Sequence, residues 1–444
     1  MSYSNDIRML LDIQDRNITF EEGCLYDGEL KGKPCRYVEG KLTYTPEACI
    51  SCGVKNEDYT IYKNGTQCSR ITLPIDGVKK TYLNLRKQRF KCKACEGTFT
   101  ATTSLVEKHC YLSKYTKACV LIKATEAQSL QDIAKDTAVS ATTVQRLITE
   151  EAKGYSFHHC LLPKHLSFDE FKYAKGLMAF EYINAETGDI LDILEYRDAR
   201  KIKDHFIANY SLADRKNVET ITIDMNAGYV NVIKAMFPQA EIVIDRFHLT
   251  QLINRSMNKT RIRVMNSFHT SNGEDLKKYR RLKRYWRLLL KRQSDLSNTE
   301  YKYFHLFGQR LETNVVEELL RFSSELKENY DLYQRILCAF EQADQEALRT
   351  LLNHQHKGPV SSYMKTSMKT LRQHLPYIKN SFTYPFNNGR IEGINNKIKV
   401  LNRVAYGYRN FRNYKYRILL HFKLRSVESK STKMVPNQTN IQAV

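Results

Sequence analysis

The sequence predicts a multidomain α/β protein, and three patterns along the chain lead to this fold class. Two CxxC motifs lie in the first hundred residues, two short amphipathic segments follow, and strand-like runs then alternate with helical ones. At 444 residues the chain is long enough for two or more domains, and 42% hydrophobic residues suffice for their cores. A net charge of +22, from 70 Lys and Arg against 48 Asp and Glu, favours nucleic acid or an anionic membrane as partner.

The composition also disfavours several protein classes. No apolar run reaches the length of a membrane span, and the N-terminus lacks the basic and then apolar pattern of a signal peptide. Eleven cysteines is an odd number, which favours metal binding and free thiols over a disulfide framework. We therefore expect a soluble intracellular protein.

The first predicted domain is a zinc ribbon at residues 45–105, after an N-terminal segment of residues 1–44. Each CxxC motif can place two thiolates on one metal through a tight turn, and a β-hairpin between the motifs would join the pairs. The expected ligands of one structural Zn²⁺ are Cys49, Cys52, Cys92 and Cys95. The alternative is that these are reduced structural cysteines, as Cys68 between the motifs could be. Six further cysteines are predicted to be buried thiols: Cys24, Cys35, Cys110, Cys119, Cys160 and Cys338.

Residues 110–155 show the pattern of a helix-turn-helix DNA-binding domain. Apolar residues recur at helical spacing in two short segments around a turn, and Ser140 is a suitable N-cap for the second segment. In this motif the second helix lies in the major groove of DNA. The alternative is a helical hairpin that contacts nothing outside the fold. The residues expected to face DNA are Thr142, Thr143, Gln145 and Arg146.

From residue 160 to residue 250 the pattern changes to strands followed by helices. Residues 166–196 contain three strand-like runs, and two further strands alternate with two helices over residues 199–245. Three meandering strands followed by alternating helices and strands are the ribonuclease-H-like arrangement. It places Asp169 at the end of the first strand and Asp224 at the end of the fourth, on neighbouring strands.

A third acidic position, Glu392, opens an aromatic and basic segment near the C-terminus. Three acids among many cations suit a two-metal phosphodiester site, because carboxylate oxygens hold divalent cations while the surroundings hold phosphates. Glu170 and Asp245 are the alternatives to Asp169 and Asp224 as metal ligands. The cations after Glu392 that we expect to contact DNA are Lys397, Arg403, Arg409 and Arg412.

The acids at Asp224 and Glu392 are separated by a long helical segment, too long for a loop in a compact domain. It predicts a helical insertion domain at 251–385 that interrupts the core, whose last part is 386–425. Residues 255–292 hold thirteen Lys or Arg against two acids. We assign about half of these charges to solvated helix faces and the rest to a DNA backbone. The predicted contacts are Lys277, Lys278, Arg280, Arg281, Lys283 and Arg284, and the polar tail 426–444 is predicted to be disordered.

The motifs, in this order, resemble the ISL3 family of bacterial insertion-sequence transposases over about residues 45–425. The resemblance includes the ribbon, the helix-turn-helix and the motifs Ser167-Phe168-Asp169-Glu170, Asp224-Met225-Asn226, Asp245-Arg246-Phe247-His248 and Glu392-Gly393-Ile394-Asn395-Asn396-Lys397. It implies an Asp-Asp-Glu enzyme in which Asp169, Asp224 and Glu392 hold two Mg²⁺ or Mn²⁺ ions per active site. It also implies that Asp245 and His248 form an auxiliary element similar to one in Mutator-like transposases.

The function implied by this resemblance is that of a DNA transposase. Such an enzyme binds terminal inverted repeats as a homo-oligomer and performs metal-dependent strand cleavage and strand transfer, without a covalent protein–DNA intermediate. The implied location is the bacterial cytoplasm, in association with the nucleoid. Two alternatives are a DNA-binding regulator with an inactive transposase-like domain and a nuclease without strand transfer. For His248 the residues alone leave two roles open, an oriented core histidine and a proton-handling or DNA-contacting group.

Overall fold

The computed structural model describes residues 3–75, 79–154, 161–225, 227–356 and 358–431. The chain divides into two compact units, the first formed by residues 1–156 and 397–444 and the second by residues 157–396. Within the described ranges, no helix combines the length and the apolar character needed to cross a membrane.

The first unit begins with a six-stranded sheet. Helix α1 (Tyr3–Leu10) precedes strands β1 (Ile18–Thr19), β2 (Leu25–Leu30), β3 (Lys33–Leu42), β4 (Ile61–Thr72), β5 (Lys80–Cys92) and β6 (Thr98–Thr100). The central order is β1-β3-β5-β4, with β2 paired to β3 and β6 paired to β5. Because β3 runs parallel to β5, the predicted N-terminal segment shares its sheet with the predicted ribbon. Ile18, Val38 and Phe90 lie in their common core.

Three helices follow in the first unit, α2 (Lys114–Ala124), α3 (Leu130–Asp136) and α4 (Ala141–Gly154). Val120, Ile133 and Val144 lie in one small core that the three helices share. Ser140 caps α4 as its sequence predicted, because its hydroxyl accepts a hydrogen bond from the Thr143 backbone N–H at 3.1 Å.

The C-terminal helix α16 (Phe411–Ser431) completes the core of these three helices, where Tyr416 lies beside their apolar residues. Arg417 is buried at 2% exposure, and its Nη2 donates to the backbone oxygens of Glu126 and Gln128 at 3.0 Å each. The loop between α2 and α3 is therefore bound to the last helix of the chain.

The structure differs from three expectations, which concern the last core segment, the C-terminal tail and the buried thiols. The predicted core segment 386–425 divides between the two units, because α16 packs on α2 and α4. The helix continues to Ser431, so the first part of the predicted disordered tail is helical, whereas residues 432–444 lie outside the described residues. Among the predicted buried thiols, Cys24 and Cys35 are buried, Cys110 and Cys119 are half-buried, Cys338 is exposed on a helix face turned from the core, and Cys160 is not among the described residues.

The second unit contains a five-stranded sheet of β7 (His165–Ala174), β8 (Leu177–Asn184), β9 (Ile190–Leu194), β10 (Thr220–Ile223) and β11 (Glu241–Ile244). The strand order is β9-β8-β7-β10-β11; the first three strands are antiparallel, and β10 is parallel to both β7 and β11. Helices α5 (Ala199–Asn209) and α6 (Leu212–Lys216) precede β10, and α7 (Ala227–Met236) follows it. The first and fourth strands are thus neighbours, as expected. The prediction that Asp169 ends its strand is wrong, because β7 continues to pair with β8 as far as Ala174.

The chain after β11 is mainly helical. The next helices are α8 (Arg246–Ser267), α9 (Gly273–Arg284), α10 (Trp286–Leu290), α11 (Glu312–Leu320), α12 (Ser324–Glu341), α13 (Gln345–Asn353), α14 (Ser362–Thr383) and α15 (Gly389–Val404), with a small hairpin of β12 (Lys302–Phe304) and β13 (Gly308–Arg310) after α10. One hydrophobic cluster, which includes Phe168 of the sheet and Leu371 of α14, joins the helices to the sheet. The predicted helical insertion therefore extends the core of the sheet.

Candidate metal centres

Four cysteine sulfurs of the first unit form a compact cluster. The β4–β5 hairpin places Ile61 opposite Cys92 and brings the two CxxC motifs together. The Sγ atoms of Cys49 and Cys95 are 3.7 Å apart, those of Cys52 and Cys92 are 3.8 Å apart, and all four lie within 4.8 Å of one another. A tetrahedral Zn²⁺ with bonds of about 2.3 Å separates its sulfurs by about 3.8 Å. The four thiols therefore fit one zinc ion.

The backbone around Cys49 favours the thiolate form. Hydrogen bonds from the backbone of Cys52 and Ser51 lower the pKa of the Cys49 thiol to about 6. The thiolate is the form of cysteine that binds metal. The turn at Cys49 therefore favours a thiolate, and it is the spacing of the four sulfurs that favours the zinc interpretation over that of ordinary reduced cysteines.

The predicted acidic positions all lie in the second unit. Asp169 lies on β7, and Asp224 follows β10, its parallel neighbour. Glu392 lies in the first turn of α15, and three residues later Asn395 donates from Nδ2 to Oδ2 of Asp169 at 2.9 Å. Because residues three apart share a helix face, Glu392 lies on the side of α15 that contacts Asp169.

The electrostatics of Asp169 suit a cation. Burial raises the pKa of Asp169 to about 6, and the charge of Asp224 acts in the same direction. The hydrogen bonds from the Glu170 backbone and from Asn395, and the charge of His248, oppose this rise. Because two nearby carboxylates repel each other, a divalent cation between them would be stabilising, and oxygen is the ligand atom that Mg²⁺ prefers.

His248 lies between Glu392 and a further acid, Asp245. Its Nε2 is 3.5 Å from Oε1 of Glu392 and 3.9 Å from Oδ2 of Asp245, and the ligand atoms of the three residues lie within 4.8 Å of one another. Asp245 is buried, and its side chain accepts a hydrogen bond from the Phe247 backbone N–H as the N-cap of α8. Asp245 therefore has a structural role at the start of α8, and its position beside Glu392 keeps it as the alternative second ligand.

Glu170, the alternative to Asp169, is bound by other groups. Nη1 of Arg197 donates to its Oε1 at 2.6 Å, and the hydroxyl of Tyr229 donates to its Oε2 at 3.0 Å. Successive residues of a strand face opposite sides of the sheet, so Glu170 faces away from Asp169. Both Glu170 oxygens have protein partners, which favours Asp169 as the metal-facing acid.

Glu181 on β8 is a buried acid beside the site that the sequence analysis missed. It lies directly opposite Asp169 in the β7–β8 ladder and is 0% exposed. Neither of its carboxyl oxygens has a hydrogen-bond partner among the described residues. Burial, and then the charge of Asp169, raises its pKa well above the ordinary value. A lone acid within the apolar run 177–183 was the signal that could have identified it.

We expect Glu181→Gln to stabilise the metal-free protein near neutral pH but not in mild acid. The pKa of Glu181 is raised in the folded state, so the folded wild-type protein binds a proton there more tightly than the unfolded chain does, whereas Gln binds none. The two proteins should be equally stable below about pH 4, near the pKa of an unfolded Glu, and should diverge as the pH rises. Denaturant unfolding of both proteins across this range measures the difference. A difference that does not change with pH would contradict the protonated, buried state of Glu181.

Several cations that were expected to contact DNA form ion pairs with acidic side chains of the protein. On α4, Arg146 pairs with Glu150 at 2.9 Å. On α9, Lys277, Lys278 and Arg281 pair with Glu274, Asp275 and Glu318 at 2.7, 3.2 and 2.8 Å. Half of the predicted α9 contacts therefore also have an acidic partner within the protein.

Other predicted DNA contacts are on the surface. Thr142 is exposed, and Thr143 and Gln145 are half-buried on the same helix. The exposed cations of α9 that have no acidic partner in the described part of the chain are Arg280, Lys283 and Arg284. The predicted contacts after Glu392 are all exposed: Lys397, Arg403, Arg409 and Arg412, the last of which donates from Nε to the Tyr416 hydroxyl at 2.8 Å.

Two curated relatives match parts of the chain. An ATP-dependent protease of Lactococcus lactis subsp. lactis is 39% identical over 109 residues, which cover 24% of this chain and 34% of that protein. The transposase for insertion sequence element IS1001 of Bordetella parapertussis is 27% identical over 254 residues, which cover 56% of this chain and 58% of that protein. The chain thus matches about a third of one relative and somewhat more than half of the other.

Two family models also match. A model described as the zinc-finger of transposase IS204/IS1001/IS1096/IS1165 matches residues 45–95, which include all four clustered cysteines. An ISL3 model described as transposase matches residues 166–418, more than half of the chain, which include the acids at Asp169, Asp224 and Glu392. The resemblance seen in the sequence is therefore confirmed, and the chain belongs to the ISL3 family of insertion-sequence transposases.

Proposed function

We propose that the protein is a DNA transposase that binds terminal inverted repeats and carries out metal-dependent strand cleavage and strand transfer. The observation that carries this proposal is the hydrogen bond to Asp169 from Asn395, which lies one turn after Glu392 on α15. Asp224 follows the strand beside β7. The order and directions of the five strands support a ribonuclease-H-like core. Family membership supports the same chemistry.

In this proposal Asp169, Asp224 and Glu392 hold two Mg²⁺ or Mn²⁺ ions. When bound, such a pair of ions activates the attacking hydroxyl and stabilises the leaving oxygen in an in-line displacement. Asn395 orients the Asp169 carboxylate through its hydrogen bond. His248 lies against the Glu392 carboxylate and acts as an auxiliary residue that positions it.

We propose that α3 and α4 form a DNA-binding helix-turn-helix. The short turn between them and the Ser140 cap of α4 support this assignment. The recognition residues would be Thr142, Thr143 and Gln145. Backbone contacts would come from two groups of exposed cations. They are Arg280, Lys283 and Arg284 on α9, and Lys397, Arg403, Arg409 and Arg412 in the C-terminal part.

We expect neutralisation of Arg280, Lys283 and Arg284 together to weaken binding to all DNA and to flatten its salt dependence. Each phosphate contact contributes about 0.9 to the slope of log K against log salt, so three contacts contribute about 2.7. Substitutions at Thr142 or Gln145 should instead change which sequence is bound, with the slope retained. Salt titrations and selection from random duplexes measure the two effects. A triple variant with the full slope would assign these cations to a solvated surface.

A strand-transfer assay with a labelled transposon end tests the proposed function against its alternatives. A transposase yields labelled ends joined to a second DNA in the presence of Mg²⁺. A regulator with an inactive catalytic domain yields binding alone, and a nuclease yields cleaved ends that are not joined.

A further inference from the structure

The helix pair α8–α14 in the second unit carries cations and no acids. Helix α8 has five Lys or Arg residues and α14 has four, and neither sequence contains Asp or Glu. The helices run antiparallel, because the hydroxyls of Thr260 and Ser361 are 2.7 Å apart near one end and Nε of Arg246 donates to the Ser381 oxygen at 2.7 Å near the other. These contacts hold the cations of both helices in a fixed arrangement.

Part of this charge forms a stripe on the flank of α8 that adjoins α14. Arg255 and Lys259 are exposed and have no acidic partner among the described residues. Nζ of Lys259 lies 5.7 Å from the ring centre of Tyr363 on α14, and Arg263, 6.0 Å from the same ring, pairs with Glu325. Arg255 and Lys259 therefore remain as cations that no carboxylate in the described part of the chain pairs with; we call them the α8 stripe.

The α8 stripe is aligned with the acidic site. Arg255 and Lys259 lie seven and eleven residues after His248, which at 3.6 residues per turn places all three on one face of the helix. At about 1.5 Å per residue, their Cα atoms lie about 10 and about 16 Å beyond that of His248. His248 itself contacts Glu392 at 3.5 Å. The stripe therefore leads away from the acids along a straight line.

A solvated helix face has a different composition. On α9 the first turn supplies Glu274 and Asp275, which pair with Lys277 and Lys278. Such pairs three or four residues apart are what stabilises an exposed charged helix. Because α8 lacks acids over its 22 residues, Arg255 and Lys259 have no acid on their own helix to pair with, and they repel each other unless a polyanion lies along them.

We propose that the α8 stripe binds the phosphate backbone of the DNA strand that enters the acidic site; this inference rests on the proposed transposase function. One strand of a duplex presents a phosphate about every 3.4 Å along the axis. Distances of about 10 and about 16 Å then correspond to phosphates about three and about five nucleotides from the scissile phosphate. Arg255 takes the nearer phosphate and Lys259 the farther one.

The test uses the full chain with Arg255→Gln and Lys259→Gln combined. The matched control combines Arg292→Gln and Arg349→Gln, which remove two exposed cations that pair with Glu341 and Glu346. Binding to the duplex DNA that flanks the reading frame is measured over a series of salt concentrations. The slope of log K against log salt concentration should fall by about 1.8 in the stripe variant, which is about 0.9 for each lost contact. It should be unchanged in the control. An unchanged slope in the stripe variant, or an equal fall in the control, would refute the proposal that the stripe binds phosphates.

Uncharged methylphosphonate linkages test the positions of the two contacts. Placed three or five nucleotides from the cleaved bond, they should weaken binding by wild-type protein and have no effect on the stripe variant. Loss of binding only at other positions would overturn the proposed path. Wild-type cleavage with Mg²⁺ is measured in parallel. If wild-type protein cleaves DNA and the stripe variant keeps the full salt dependence of binding, the stripe alone is refuted. If the salt dependence falls in the variant but wild-type protein does not cleave, the transposase function is refuted and the stripe remains a DNA-binding surface.

Discussion

Asp169→Asn, Asp224→Asn and Glu392→Gln should each reduce DNA cleavage and joining by several orders of magnitude, while binding to DNA ends persists. Each substitution keeps the size of the side chain and removes the charge that would hold a divalent cation. End binding could even improve, because one negative charge would no longer repel phosphate. Single-turnover cleavage and gel-shift binding of the same labelled end measure the two effects separately.

The control for this series is Asp245→Asn. Asn is as good an N-cap as Asp, so the substitution preserves the start of α8 and changes only the charge beside His248. We expect it to cost less activity than Asp224→Asn. If Asp245→Asn were lethal and Asp224→Asn tolerated, Asp245 would be the second ligand. Full strand transfer by Glu392→Gln would rule out the proposed mechanism.

Cys92→Ser should remove zinc from the protein and unfold much of the β4–β5 ribbon. Cys92 is buried at the end of β5, and its sulfur is one of the four that fit a single ion. Zinc binding by small zinc-finger peptides supplies about 10–16 kcal/mol of apparent free energy, most of which drives folding. Metal analysis should find about one Zn²⁺ per wild-type chain and much less in the variant. The melting temperature and specific end binding should fall with it.

Cys68→Ser is the matched control for zinc. Cys68 is exposed on β4 of the same hairpin, outside the cysteine cluster, and its replacement should change neither zinc content nor melting. A Cys92→Ser protein that kept its zinc would refute the four-cysteine assignment. Metal-free protein that bound its ends normally would show that the ion has no part in DNA binding.

Local patterns in the sequence predicted the elements whose causes are local. The spacing of the CxxC motifs predicted the cysteine cluster, because two tight turns and a hairpin are enough to form it. Helix α4 has the N-cap that its sequence predicted, since the Ser140 hydroxyl accepts a hydrogen bond from the backbone N–H three residues later. The neighbouring positions of the strands that carry Asp169 and Asp224 followed from the order of strands and helices along the chain.

Features that depend on distant contacts could not be predicted in the same way. The burial of Glu181 depends on what covers the β8 face, and the strands before residue 44 are stabilised by β5, which follows about forty residues later. The hydrogen bond from Asn395 to Asp169 joins residues 226 apart, and only the fold shows that these two side chains meet. Likewise, the pair of Arg281 on α9 with Glu318 joins two helices, and the sequence pattern of α9 alone does not show it.

The contact between Arg417 and the loop before α3 has a consequence for how the protein is made. The guanidinium and its acceptor at Glu126 are 291 residues apart, and a ribosome adds about 5–20 residues each second. Roughly 15–60 s therefore separate synthesis of the loop from synthesis of the helix that covers it. A nascent or prematurely terminated chain would have α2, α3 and α4 with their apolar residues uncovered. Only translation that reaches α16 supplies the missing side of that core.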